Sequence, residues 1–346
     1  MYTDFYGLSD RPFQLTPDAR FWFNSRTHKK AMAYLGYGLA QGEGFIAVTG
    51  EIGAGKSTLA AHLLATIDRE RLNAVSLVST QVEGDDMLRL AAQGFGLATE
   101  GLEKAQLLDR IEQRLADEAA AGKRSLLIVD EAQSLATSAL EELRMLSNFT
   151  RQGRSLLQIF LLGQPEFRDR LAVGEGLEQL RQRVIASHHL GAMEPSEVEP
   201  YLVHRLAVAG WQGRPIFEAD AFAGIHRHTG GLPRKVNQLA NRVLLYGAIE
   251  SLERIGAADV EAVAADMRAD RPQAAAAPAA APSRTPHVAA APAPAEQAVR
   301  DFAVERRVAQ LESRLEEQEV VLRRVLTLLV DWVENSEAPG YRSNAA

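Results

Sequence analysis

The sequence contains no cysteine, which excludes a disulfide framework and a thiolate metal site and fits a cytoplasmic protein. It has no run of 18 or more apolar residues, so no membrane-spanning helix is expected. Its start, Met1-Tyr2-Thr3-Asp4, lacks the basic and apolar regions of a signal peptide. A basic excess is missing too. The net charge is −7, from 38 basic and 45 acidic side chains, so there is no overall electrostatic footprint for nucleic acid, although a local basic patch stays open. What the chain does have is 346 residues at 46% hydrophobic content, enough for more than one core.

The run Gly50-Glu51-Ile52-Gly53-Ala54-Gly55-Lys56-Ser57-Thr58 fits the phosphate-loop pattern G-x-x-x-x-G-K-[ST]. Glycines let successive backbone N–H groups turn inward around an anion, and the helix that follows presents its positive dipole end. Lys56 is expected to reach the β- and γ-phosphates of ATP, and the Ser57 hydroxyl to hold Mg²⁺. A glycine-rich turn matching by chance is the competing reading. The flanks weigh against it: 45–49 is a short apolar run that reads as a buried strand, and 58–67 is Ala- and Leu-rich and reads as a helix.

A second motif, Ser125-Leu126-Leu127-Ile128-Val129-Asp130-Glu131, is an apolar run ending in two acids, as in a Walker B strand. At the carboxyl end of a buried parallel strand Asp130 would face the phosphate loop and hold Mg²⁺. Glu131 would polarise the attacking water as general base, which favours hydrolysis over binding alone.

Further strands are expected at 73–79, 156–162 and 184–190, with helical patterns over 85–121, broken near Gly94 and Gly96. Ser138 and Glu141 read as a capping box opening a helix through Ser147. This alternation implies a parallel, doubly wound α/β domain over 1–193. From Pro195 the strands stop. Ser196, Glu199 and Pro200 mark a helix start, and a small all-helical lid is expected over 194–270. Residues 271–300 are an Ala/Pro-rich linker, with prolines at 272, 278, 282, 286, 292 and 294. In 301–335 the positions Val304, Val308, Leu311, Leu315, Gln318, Leu322, Val325, Leu329 and Trp332 form a heptad seam. Self-association through a coiled coil is the favoured reading. An amphipathic helix packing back on the globular part and a membrane-surface helix are the others. A disordered tail is expected over 336–346.

The chain resembles the ExeA-like secretion ATPases over about its first 270 residues. The opening Phe5-Tyr6-Gly7-Leu8, the run Pro12-Phe13-Gln14-Leu15-Thr16-Pro17-Asp18 and Gly42-Glu43-Gly44-Phe45 carry that likeness. Within the group it most resembles the ATPase encoded beside exosortase and exopolysaccharide loci, through residues 143–149, 161–167 and 180–187. The resemblance implies a P-loop NTPase of AAA type. It places Gln164 at the first sensor, where many such proteins carry Asn, and either Arg181 or Arg183 at the arginine finger that reaches a neighbouring subunit's nucleotide. Gly230-Gly231-Leu232-Pro233-Arg234 resembles the second sensor, with Arg234 on the nucleotide. Phe13 and residues 21–23 read chiefly as core, with a part in closing an adenine pocket. His188 and His189 alternate across a strand, cannot readily share a metal, and read as structural.

The expected function is an ATP-hydrolysing, Mg²⁺-dependent switch or motor. It would assemble with itself, in a ring among other forms, and serve envelope export or exopolysaccharide machinery from the cytoplasm or the inner-membrane surface. A DNA-associated ATPase of transposition-helper or initiator-like type is the alternative, and a scaffold with little turnover a third that Glu131 argues against.

Overall fold

The computed structural model describes residues 2–78, 82–174 and 176–270. The expected linker, heptad helix and tail therefore lie outside the described residues. Five strands, Phe45–Gly50 (β1), Leu72–Val78 (β2), Arg124–Asp130 (β3), Leu157–Gly163 (β4) and Val184–Leu190 (β5), form one parallel sheet in the order β2-β3-β4-β1-β5. The central strands are apolar at successive positions because both faces are covered. Phe45 and Ala47 point into one core, and Ile46 and Val48 into the core on the opposite face. The same alternation sends Leu127 and Val129 one way and Leu126 and Ile128 the other.

Helices Tyr2–Tyr6 (α1), Arg26–Gln41 (α2), Lys56–Thr66 (α3), Gly84–Gly94 (α4), Lys104–Ala120 (α5), Thr137–Leu146 (α6), Pro165–Val173 (α7) and Glu178–Arg181 (α8) precede the last strand. Buried residues of α2 and α3 pack on one face of the sheet, and those of α4 to α8 on the other. This is the doubly wound arrangement implied by the sequence. After β1 the chain crosses to the far strand β2 and returns through β3 and β4 to β1. The carboxyl ends of β1, β3 and β4 thus converge where open α/β sheets bind ligands.

The helical subdomain comprises Pro195–Val208 (α9), Ala219–Thr229 (α10), Pro233–Ile249 (α11) and Ala257–Ala269 (α12), with a two-residue strand pairing, Ile216–Phe217 on Arg254–Ile255. Its core has an addition that the sequence reading assigned elsewhere. Tyr2, Tyr6, Leu8 and Phe13 are buried among Leu202, Val236, Val243 and Ile255, so the first residues belong to the helical core rather than to the α/β domain. Hydrogen bonds fix them there: Tyr2 Oη donates to Asn241 Oδ1 at 2.7 Å, Ser9 N to Ala209 O at 2.8 Å, and Arg205 Nε to Pro12 O at 2.6 Å. Burial drives the Tyr6 phenol up to about 12.

Two helix starts differ from the expected ones. The capping box of Ser138 and Glu141 does not form, because α6 opens two residues earlier on Ala136 and Glu141 instead chelates Arg144 at 2.6–2.9 Å. Helix α9 opens on Glu194, which forms a capping box with Glu197, leaving Pro200 inside the helix. Among the described residues no helix is long and apolar enough to cross a membrane.

Candidate functional site

The loop from β1 to α3 turns on two left-handed glycines, Gly53 at φ 86° and Gly55 at φ 101°. Both are also crowded. A Cβ on Gly53 would lie 2.3 Å from Arg234 Cβ, and one on Gly55 would lie 2.7 Å from His28 Nε2. Only glycine meets both conditions. Lys56 opens α3 with Gly55 as its N-cap, and the helix's first-turn N–H groups face the loop. The Lys56 side chain folds back over the loop, its Nζ donating to Gly50 O at 2.7 Å and Glu51 O at 3.1 Å. Burial lowers its proton affinity, and the nearby carboxylates of Glu131, Asp130 and Glu51 oppose that shift.

Ser57 Oγ donates to Asp130 Oδ2 at 2.6 Å, bringing the two motifs into contact. These are hard oxygen donors of the kind Mg²⁺ takes, alongside water and nucleotide phosphates. The pair offers two protein oxygens, which fits an ion whose other ligands are water and nucleotide phosphates. Glu131 follows with φ 56°, a left-handed backbone rare outside glycine. Its N–H returns to Asp130 Oδ1 at 2.9 Å. Its Oε2 accepts from Gln133 Nε2 and, at 3.3 Å, from Gln164 Nε2. Gln164 caps α7 at the end of β4, and its N–H donates to Gln133 Oε1 at 3.0 Å.

Lys56, Ser57, Thr58, Glu131 and Arg234 line one cavity of about 320 Å³ between the sheet and the helical subdomain. Arg234 N donates to Gly53 O at 3.1 Å, so the start of α11 rests on the phosphate loop. Of the aromatic opening, Phe21, Trp22 and Phe23 line the cavity, while Phe13 is spent in the helical core. Trp22 stacks on His62 with centroids 4.2 Å apart.

The structure does not bring Arg181 and Arg183 to this cavity within the chain. Both precede β5, whose Val184 pairs with Phe45 at the start of β1, whereas the phosphate loop leaves the other end of β1. Arg181 reaches the Ala172 carbonyl and Glu178, and Arg183 Nη1 reaches Ser147 O at 3.4 Å. His188 and His189 diverge as a strand requires. His188 Nε2 lies 3.1 Å from Thr27 O, and His189 Nδ1 lies 3.1 Å from Thr49 Oγ1. Burial lowers both imidazoles.

Sequence reasoning missed two groups. Residues 25–28 open α2 and touch three elements. His28, bonded to Ser25 Oγ at 2.6 Å, sits under Gly55, and burial holds its imidazole down to about 4. Arg26 N donates to Glu197 Oε1 at 2.8 Å in α9, and Gly191 N donates to Thr27 Oγ1 at 3.1 Å. Ser25 is legible only as a helix cap. The second group is Gln133, whose place after Asp130-Glu131-Ala132 was its sole signal.

A family model for an AAA domain matches residues 39–171. Over 268 residues the chain is 38% identical to general secretion pathway protein A of Aeromonas hydrophila, covering 77% of this chain and 48% of that one; it spans about half the length of this curated relative. Among solved structures it is similar to the Aeropyrum pernix ORC2 protein in ADPNP and ADP complexes, with a TM-score of 0.56 and 15% identity over 75% of this chain and 72% of that one. It is also similar to the Aeropyrum pernix ORC1 protein in complex with DNA, with a TM-score of 0.55 and 14% identity over 75% and 70%. At such identities these two show the fold alone.

Proposed function

Because this chain belongs to the AAA-type P-loop ATPases and is related to general secretion pathway protein A, we propose that it is a Mg²⁺-dependent ATP-hydrolysing switch serving envelope export. The observation that carries the chemistry is the contact of Ser57 with Asp130 at 2.6 Å, beside Glu131 and in the mouth of the glycine loop. Lys56 exchanges the Gly50 and Glu51 carbonyls for β- and γ-phosphate oxygens. Ser57 and Asp130 hold Mg²⁺, which when bound neutralises charge developing on the phosphates. Glu131 takes the proton of the attacking water. Arg234 reads the nucleotide from the helical side, where its backbone contact with Gly53 already couples α11 to the loop. Gln164 contacts the region of the γ-phosphate from the end of β4. Arg181 or Arg183, being remote from the chain's own cavity, acts on a neighbour's nucleotide in a self-assembly.

The 38% identity to a secretion pathway protein supports export as the setting, with exosortase-linked or exopolysaccharide secretion as the finer reading. The partners are components of that machinery, met in the cytoplasm or at the inner-membrane surface. A role on DNA rests on the ORC1-like fold, which does not fix function. Turnover by the parent, Lys56→Ala and Glu131→Gln proteins tests the chemistry. Loss of roughly 10²–10⁴-fold is expected for Glu131→Gln, and parental turnover would remove its role as base. Export partners should co-purify with the Glu131→Gln protein held with ATP; tight, steeply salt-dependent duplex binding instead would favour the DNA reading.

A further inference from the structure

We infer that Gln133 is a positioning residue for hydrolysis, a single amide that holds Glu131 and ties it to Gln164. This rests on the reading of Glu131 as the base. The amide uses both of its ends. Its Nε2 donates to Glu131 Oε2, and its Oε1 accepts the Gln164 backbone N–H at 3.0 Å. Gln164 closes the ring, its own Nε2 reaching the same Glu131 oxygen at 3.3 Å. Three groups from the end of β3, the turn Ala132–Ser134 and the end of β4 thus form one closed circuit around a single carboxylate oxygen.

The backbone makes such a circuit necessary. Glu131 leaves β3 at φ 56°, so its side chain departs in a direction that the strand does not dictate. Its N–H is taken by Asp130, and the two amides hold its carboxylate. A general base displaced by about 1 Å loses roughly 10²-fold in rate. The bonds of Gln133 run to Glu131 and Gln164 and not to the phosphate loop or Lys56, so its loss acts on the base and its neighbour rather than on nucleotide binding. The amide of Gln164 is bonded to Glu131 and, in the sensor reading, would also turn toward a γ-phosphate. A shift of that amide toward phosphate leaves Gln133 as the remaining hold on Glu131.

The test is Gln133→Met, which keeps length and removes both hydrogen bonds. The expected result is a fall in kcat of roughly 10- to 100-fold with KM for ATP and the affinity for a fluorescent ATP analogue unchanged. In single-turnover phosphate release, Gln133→Met added to Glu131→Gln should cost nothing further, because the residue acts through the carboxylate. Gln133→Glu, which retains the acceptor for Gln164 N–H but offers Glu131 a carboxylate, should be no better than Gln133→Met. Unchanged kcat in Gln133→Met, an equal loss of analogue affinity, or a full further loss in the Glu131→Gln background would each overturn the proposal. Parental turnover by Glu131→Gln alone would instead overturn the base assignment, a separate outcome that the same panel reports. Analogue binding at parental affinity establishes that the variants are folded.

Discussion

Ser57 and Asp130, 73 residues apart in sequence, meet at 2.6 Å through a hydroxyl and a carboxylate oxygen. The contact joins the start of α3 to the end of β3 and sets together the two oxygens proposed to hold the nucleotide's metal. Asp130→Asn should raise the Mg²⁺ concentration needed for half-maximal turnover by roughly 10- to 100-fold. Combined with Ser57→Ala, the loss should be smaller than the two single losses together, since both act on one ion. A Mg²⁺ titration at fixed ATP reads this directly, and full additivity would show that the two do not share a ligand.

Gly53→Ala should weaken nucleotide binding while leaving the sheet intact. The new Cβ would meet Arg234 Cβ at 2.3 Å and hold a left-handed backbone unfavourable for alanine. Titration with a fluorescent ATP analogue should show at least a tenfold loss of affinity, with the far-ultraviolet circular dichroism of the parent. Parental affinity would mean that the α11 contact yields freely.

Stability should depend on pH through His28. Its folded value is held near 4 by burial, below the value near 6.5 of an exposed imidazole. Between those values the unfolded chain binds the extra proton, so this group's contribution is complete above pH 6.5 and is lost as pH falls toward 4. Urea unfolding at pH 7 and pH 5 should show the parent losing about 2 kcal/mol more than His28→Gln over that interval. Equal losses would place the acid sensitivity elsewhere.

Of the two candidate fingers, Arg181 has 40% of its side chain exposed at the sheet's amino end, whereas Arg183 turns toward Ser147. Arg181→Ala should therefore lose turnover but keep ATP affinity. Mixing it with Lys56→Ala should restore part of the rate, because one chain then supplies an intact loop and the other the arginine. A mixture as inactive as its parts would argue against action between chains.

Phe13→Ala should destabilise the helical subdomain by roughly 3–5 kcal/mol, the usual cost of emptying a buried phenylalanine site. Chemical denaturation followed by the fluorescence of Trp211, which packs against the same core, measures it. An unaffected midpoint would show that the first residues are dispensable to that core.

Much of the sheet was readable because two-sided burial leaves an unbroken apolar run in β1, β3 and β4, and β5 runs over 184–190 as expected. The phosphate loop was readable because close approach and positive φ leave glycine no substitute at Gly53 and Gly55. The start of α6 was misplaced because Glu141 had a better partner in Arg144 than the backbone that it was expected to cap. The seating of residues 2–13 depended on contacts such as Ser9 with Ala209, 200 positions away, which no local pattern announces. Gln133 was hidden for a different reason: its reach depends on the left-handed turn at Glu131, and nothing in a Glu-Ala-Gln spelling requires that turn.

Because residues 2–13 are built into the helical half while α2 belongs to the sheet half, the polypeptide passes between the halves twice, once through 14–25 and again through 191–194. Two bodies joined by one strap can swivel freely; joined by two, they can turn chiefly about the line connecting the straps. The first strap is itself a wall of the cavity, through Leu15, Asp18 and Trp22. In the proposed switch, a nucleotide bound there would press on the axle of the movement and not only on its moving parts.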